Sequence, residues 1–270
     1  MISVLILTLN EEIILPACLE SVTWSDDIVV LDDGSTDRTV EIARQFGARV
    51  IAHSAGGELA QRTHAVRNIA FKHPWVYNPD ADEITTPELR DEMLAAVADA
   101  SRDEVAYRVR FKVMFKGRWI KHSSLYPTWV VRLLRPERLR FERAANLRYV
   151  VDGNVAFLRS HFLHYTFNKG MDAWREKHRR YAEAEARENL ASLQAGRPDI
   201  AGLLAWNDPV RRRRALKELS SRMPCRPALR FVYMYVLRCG FLDGYPGLVY
   251  CRLLAAYERM IVDKMKEIQR

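Results

Sequence analysis

The chain has 270 residues, 49% of them apolar, and a formal net charge of +8. That size and apolar content exclude whole-chain disorder and suit one or two domains, while composition excludes collagen, coiled-coil and disulfide-scaffold classes. No apolar run approaches the roughly 20 residues that span a bilayer. Residues 1–100 carry 17 acidic and 7 basic side chains, 101–200 carry 11 and 21, and 201–270 carry 6 and 14. An acidic first third suits holding a metal; a basic remainder suits phosphate, nucleic acid or anionic lipid, or is simply a set of solvated helix faces.

The opening MISVLILTLNEE has neither a basic n-region nor a small-residue cleavage site, so no signal peptide is read there. The cysteines, Cys18, Cys225, Cys239 and Cys251, show no CxxC or zinc-like spacing and read as reduced thiols of a cytosolic protein.

In chain order, residues 2–8 (ISVLILT) form a β-branched apolar run, read as a buried strand. A helix follows to about 21, then a second buried strand at 27–31 (DIVVL). Residues 32–37 (DDGSTD) are turn and helix-capping types, opening a helix over 38–46 that stops at Gly47. A strand at 49–52, a helix at 58–72 and a strand at 75–78 lead to Asp80-Ala81-Asp82-Glu83, and Pro87 starts a helix to about 100. This alternation predicts βαβ units, an α/β class and a parallel sheet.

Residues 104–115, 117–122 and 128–134 predict longer strands added antiparallel, and 147–158 one or two more. Residues 171–195 predict a long helix, and the pattern is helical from 208 onward, broken at 224–227 and 240–247. The division read from this is a catalytic domain over 1–200 and a helical C-terminal region over 201–270.

The polar clusters Asn10-Glu11, Asp32-Asp33 and Asp80–Asp82 all fall at carboxyl ends of predicted strands, where ligands bind in such sheets. Asp80-x-Asp82 sets two carboxylates a few Å apart, an arrangement that suits Mg2+ or Mn2+ bridging to phosphates or is merely a solvated loop. Asp32-Asp33-Gly34-Ser35 reads either as a nucleotide pocket at a helix N-terminus or as an Asp turn with a Ser cap. Neither GxGxxG nor GxxxxGK[ST] is present.

Taken together, ISVLILTLNEE, VVLDDGSTDRT, AVRNIAF and WVYNPDADE resemble, in order and spacing, the inverting glycosyltransferases of family 2. The resemblance continues through YPTWVVRLLR, YVVDGNVAFLRSHFLHYTF and FLDGYPGLVY, which are similar to the bacterial subgroup that builds lipopolysaccharide core. It implies a GT-A fold, a Rossmann-like, mostly parallel sheet flanked by helices with a C-terminal helical appendage. It also implies a nucleoside diphosphate sugar donor, UDP-linked, a saccharide or lipid-linked acceptor, and Mn2+ or Mg2+ as cofactor.

Carried over by residue, the resemblance places Thr8, Asn10 and Glu11 in the nucleoside pocket and Asp33 and Asp32 on uracil or ribose, with Ser35 nearby. Arg67 and Asn68 would lie near the nucleotide, Asp80 near the ribose or donor sugar, and Asp82 on the metal. His164 would complete the metal or diphosphate site, or is a half-buried strand histidine.

The chain departs from the family where relatives carry a catalytic Glu upstream of the VDG turn; that slot holds Asn146-Leu147. Glu142 is the nearest upstream carboxylate and the expected base, with Asp152 second. The gap leaves open an alternative, a sugar-nucleotide binder without turnover. Arg132 and Arg135 are expected to face an anionic acceptor.

Residues 227–268 mix apolar and basic side chains at helical spacing, suiting an anionic membrane surface, packing on the catalytic domain, or a homodimer contact. No nucleic-acid motif is present, so nucleic acid is not expected as a partner. The expected location is cytoplasmic, peripheral on the inner membrane.

Overall fold

The computed structural model describes residues 1–54, 58–142, 148–194 and 199–270, with the backbone alone at 58, 142, 148, 209, 210, 213, 214 and 217. The contacts divide the chain into two units, residues 1–119 with 126–169, and residues 120–125 with 170–270.

The first unit opens with β1 (Ser3–Thr8), α1 (Leu15–Glu20), β2 (Ile28–Asp32), α2 (Thr39–Gln45), β3 (Arg49–Ala52), α3 (Glu58–Asn68) and β4 (Val76–Tyr77). Next come β5 (Glu83–Thr85), α4 (Pro87–Ala98), β6 (Glu104–Phe115), β7 (Arg118–Trp119) and β8 (Trp129–Leu134). The hairpin strands β9 (Leu139–Glu142) and β10 (Arg148–Val151) precede β11 (Asn154–His164).

Among the described residues, nine strands make one sheet in the order β3-β2-β1-β4-β8-β6-β11-β5, with β7 paired to β6; β9 and β10 pair only with each other. The β-branched runs explain its inner half. Alternate side chains of β1 enter two cores: Val4 and Ile6 pack with Leu19 and Ile42, whereas Leu5 packs with Ala65 of α3 and with Ile69 just after it. A strand covered on both faces must be apolar throughout, which is why β1 and β2 lack polar alternation.

Strands β3, β2, β1 and β4 run parallel, and β4 pairs antiparallel with β8. The chain steps from β1 to β2 on one side and returns to β4 on the other, so a crevice opens past the carboxyl ends of β1 and β4. The antiparallel additions expected from sequence are present in β6 and β8, while β11 pairs parallel to β6 and antiparallel to β5. Thr86 caps α4 by accepting from the Leu89 amide, and Pro87 follows it in the first turn.

The second unit contains α5 (Gly170–Gln194), α6 (Ile200–Leu203), α7 (Pro209–Ser221), α8 (Arg226–Val232) and α9 (Gly244–Ile268), with a π turn at Tyr233–Leu237 and a 3-10 turn at Gly240–Asp243. Ala182 and Ala186 of α5 pack against Ile261 of α9, so α5 groups with the C-terminal helices and the division falls after Lys169, not at 200. Residues 120–125 are held by Asp243, whose Oδ2 accepts from the amides of His122 (3.0 Å) and Ser123 (2.7 Å) and from the Ser123 hydroxyl (2.7 Å). Gly247 is required beside them, since a Cβ there would lie 2.4 Å from the Gly240 carbonyl oxygen. No helix among the described residues is long and apolar enough to cross a membrane.

Candidate active site

The strand ends of the first unit assemble the site. Register pairs Thr8 with Asp32 and bridges Leu7 to Asp80, so three sequence-distant polar segments end side by side.

Asp32 is buried, and its carboxylate accepts from Thr8 Oγ1 (3.0 Å), Ser35 Oγ (2.5 Å), and the amides of Ser35 (2.8 Å) and Gly34 (3.1 Å). Its lone pairs are spent on the turn, so Asp32 shapes the loop; this corrects the expectation that it contacts uracil or ribose. Asp33 is half-buried and its amide donates to the Thr8 carbonyl (3.0 Å). Asn10, in the left-handed region at φ 55°, joins the same loop: its amide donates to Ser35 Oγ (2.8 Å) and its Oδ1 accepts from the Thr36 amide (2.8 Å). The structure thus brings Thr8, Asn10, Asp32, Asp33 and Ser35 together.

The second cluster surrounds Asp80. Arg62 of α3 donates to Asp80 Oδ1 (2.6 Å) and to Asn78 Oδ1 (2.8 Å). Arg132 of β8 donates to the other Asp80 oxygen and to Glu83 Oε1 (2.5 Å), and the Asp80 amide donates to Glu83 Oε2 (3.1 Å). Burial works against ionised Asp80, but the two guanidiniums hold it well below the usual carboxylate range. Burial pushes Glu83 up to about 7 against the pull of Arg132. Arg132 is buried and spent on these carboxylates, so it does not face an acceptor as expected; Arg135 lies over the Trp75 ring at 4.9 Å.

Asp82 and His164 meet, with Nε2 3.4 Å from Oδ2. Antiparallel pairing of β5 with β11 sets His164 opposite Glu83, and the Tyr165 amide donates to the Asp82 carbonyl (2.8 Å). Burial disfavours the charged imidazole, yet Asp82, Glu83 and Asp80 raise the His164 pKa above its ordinary value. His164 Nδ1 is buried without a hydrogen-bond partner among the described residues. Glu11 sits with this group: Lys169 Nζ is 2.6 Å from Oε1 and Asn168 Nδ2 donates to Oε2 (3.1 Å). Burial, with help from Asp82, raises the Glu11 pKa despite Lys169.

No group of three or more His, Cys, Asp or Glu suited to a metal occurs among the described residues. One carboxylate and one imidazole nonetheless fit a divalent ion that takes its remaining ligands from water and substrate phosphates. The ring nitrogen that faces that carboxylate is Nε2, so Asp82 Oδ2 and His164 Nε2 are the pair of donor atoms available to such an ion.

Other expected residues lie elsewhere. Arg67 and Asn68 are exposed on the last turn of α3, with Asn68 bonded to His64. Five residues along a helix turn Arg67 about 140° away from Arg62, so the arginine that reaches the carboxylates is Arg62. Asp152 precedes β11, whose other end is His164, and 11 extended residues span about 33 Å. Its side chain is 84% exposed and pairs with Arg138. Strand length therefore rules it out as a base acting beside His164. Glu142 pairs by its backbone with Arg148 at the loop end of the β9–β10 hairpin, and its side chain lies outside the described residues, as do Asn146 and Leu147. One position along that hairpin, the Tyr149 hydroxyl is 3.5 Å from Arg132 and its ring faces Arg62 at 6.0 Å.

Arg62, Glu83 and Lys169 were not among the expected site residues. Arg62 carries a readable signal, since it shares the buried helix stripe of Ala65 and Ile69. So does Arg132, an arginine inside the apolar run VVRLL.

The family model for glycosyl transferase family 2 matches residues 3–166. The chain belongs to that family. Its fold is of the GT-A type. The match takes in every site residue from Thr8 to His164 and stops short of Asn168 and Lys169. A lipopolysaccharide core biosynthesis glycosyltransferase, LpsC of Rhizobium meliloti, is 27% identical over 274 residues, covering 96% of this chain and 92% of that protein. An uncharacterized glycosyltransferase of Rickettsia typhi is 36% identical over 118 residues; the match spans 43% of this chain and only 40% of the Rickettsia protein. Among solved structures, the mannosyltransferase PcManGT from Pyrobaculum calidifontis, in complex with GDP-Man and Mn2+, matches with a TM-score of 0.54 and 14% identity, over 100% of this chain and 88% of that one.

Proposed function

We propose that this family member transfers a sugar, with inversion, from a UDP-sugar to a hydroxyl of a saccharide or lipid-linked acceptor in lipopolysaccharide core assembly. The observation that carries the proposal is the meeting of Asp82 and His164, 3.4 Å apart, beside Glu11 and the arginine-held Asp80. The full-length likeness to LpsC supports the acceptor class.

Asp82 and His164 would hold Mn2+ or Mg2+, which when bound neutralises charge developing on the departing diphosphate. Thr8, Asn10 and Ser35 keep the β1 and β2 loops in place, and Asp33 accepts from uracil or ribose. Arg62 and Arg132 keep Asp80 ionised, so its carboxylate accepts from hydroxyls of the ribose or donor sugar. Glu142, on the hairpin whose Tyr149 reaches both arginines, takes the proton from the acceptor hydroxyl. Attack opposite the leaving diphosphate inverts the anomeric carbon, and a single displacement needs one base.

Calorimetric titration with UDP-, GDP- and dTDP-sugars, with and without Mn2+, tests this reading. Selective binding of a UDP-sugar, tightened by Mn2+, is the expected result. Preference for another nucleotide, or binding indifferent to chelation, refutes the corresponding part.

A further inference from the structure

The second unit turns an uncharged apolar face to solvent. Between residues 225 and 245 no exposed side chain is charged. Leu229, Val232, Val236, Leu237, Phe241 and Leu242 are 40–70% exposed. The first four recur at helical spacing through α8 and the π turn, while Met234 is fully buried on the inward side. A helix that fills its core and still shows an apolar stripe to water has a second surface to cover.

The charges around the stripe are mostly basic. Residues 222–252 contain five arginines (Arg222, Arg226, Arg230, Arg238, Arg252) and one acidic residue, Asp243, which is buried and spent on His122 and Ser123; Arg226 is paired with Glu258 of α9 at 2.9 Å. A second copy docked about a two-fold axis would set this region, with its excess of arginines over carboxylates, against itself. Anionic headgroups over an acyl boundary complement both the apolar stripe and the arginines. The exposed rings of Tyr233 and Tyr245 have the mixed character that suits headgroup depth.

We infer that residues 225–245 form the surface by which this protein lies on an anionic phospholipid bilayer. The inference goes beyond the proposed reaction and needs neither donor nor acceptor, so the two stand or fall separately.

Sedimentation of the full chain with phosphatidylcholine vesicles, with and without about one-third phosphatidylglycerol, tests it. Binding at least roughly tenfold tighter to the anionic vesicles is expected, with a comparable loss in the Leu237→Glu/Leu242→Glu variant. Both positions are largely exposed, and the variant should keep the wild-type thermal midpoint and UDP-sugar binding; Val236→Ser/Phe241→Ser serves as an independent pair. Vesicle binding that ignores lipid charge, or that both variant pairs retain, overturns the inference. So does a wild-type dimer in light scattering that the substitutions dissociate while vesicle binding is absent.

Discussion

Arg132 Nη2 lies 2.5 Å from Glu83 Oε1, both side chains are buried, and the same nitrogen also holds Asp80. One guanidinium thus answers two carboxylates under the site. Removing it strands both, and breaking a buried pair costs about 3–5 kcal/mol. Arg132→Met should lower the urea-unfolding free energy by that order. Adding Glu83→Gln should recover part of the loss, and equal losses in the single and double variants would show that the charges are not coupled.

Glu83 also sets a pH dependence. Its folded value of about 7 exceeds the ordinary 4.5, so the folded state holds the proton more tightly. The contribution is full below 4.5, falls as pH rises from 4.5 to about 7, and is level above, with a ceiling of about 3 kcal/mol. Asp80 acts with the opposite sign: its lowered value gives stability that is present above 3.8 and lost on acidification. In chelator, wild-type urea midpoints should fall between pH 5 and 7 while those of Glu83→Gln stay flatter. Parallel profiles would count against a raised Glu83.

Arg62 and Arg67 separate helix phase from motif likeness. Arg62→Ala should weaken UDP-sugar binding at least roughly tenfold, since it frees Asp80 from a charge-assisted bond. Arg67→Ala, at an exposed position, should change it less than about twofold. The reverse order would restore the expectation drawn from the AVRN segment.

Much of the fold is legible in the chain because its signals are local. β-branched runs mark β1 and β2, Pro87 and Gly47 mark helix ends, and carboxylates at predicted strand ends mark the site. What stays hidden is set by tertiary packing. In AVRN the letters fit the family, yet Arg67 faces solvent because the phase of α3 is fixed by Ala65 and Ile69 against β1 and β2. The role of Asp32 likewise depends on Thr8 from another strand, which no local pattern reveals. The grouping of α5 with the C-terminal helices follows from its contact with α9, far along the chain.

The two candidate bases belong to opposite ends of the β9–β10 hairpin. Glu142→Gln should cut transferase turnover by about 10²–10⁴, the usual contribution of a general base. Asp152→Asn, at the far end of the strand from His164, should stay within about twofold. Turnover retained in Glu142→Gln would move the base to another residue.

The most direct test of the central assignment is the Mn2+ dependence of UDP-sugar affinity, measured by calorimetry for wild type, Asp82→Ala and His164→Ala. Both substitutions should abolish the tightening that Mn2+ gives the wild type, with the fold preserved by circular dichroism. Undiminished Mn2+ enhancement in both variants would contradict an ion held between these two side chains.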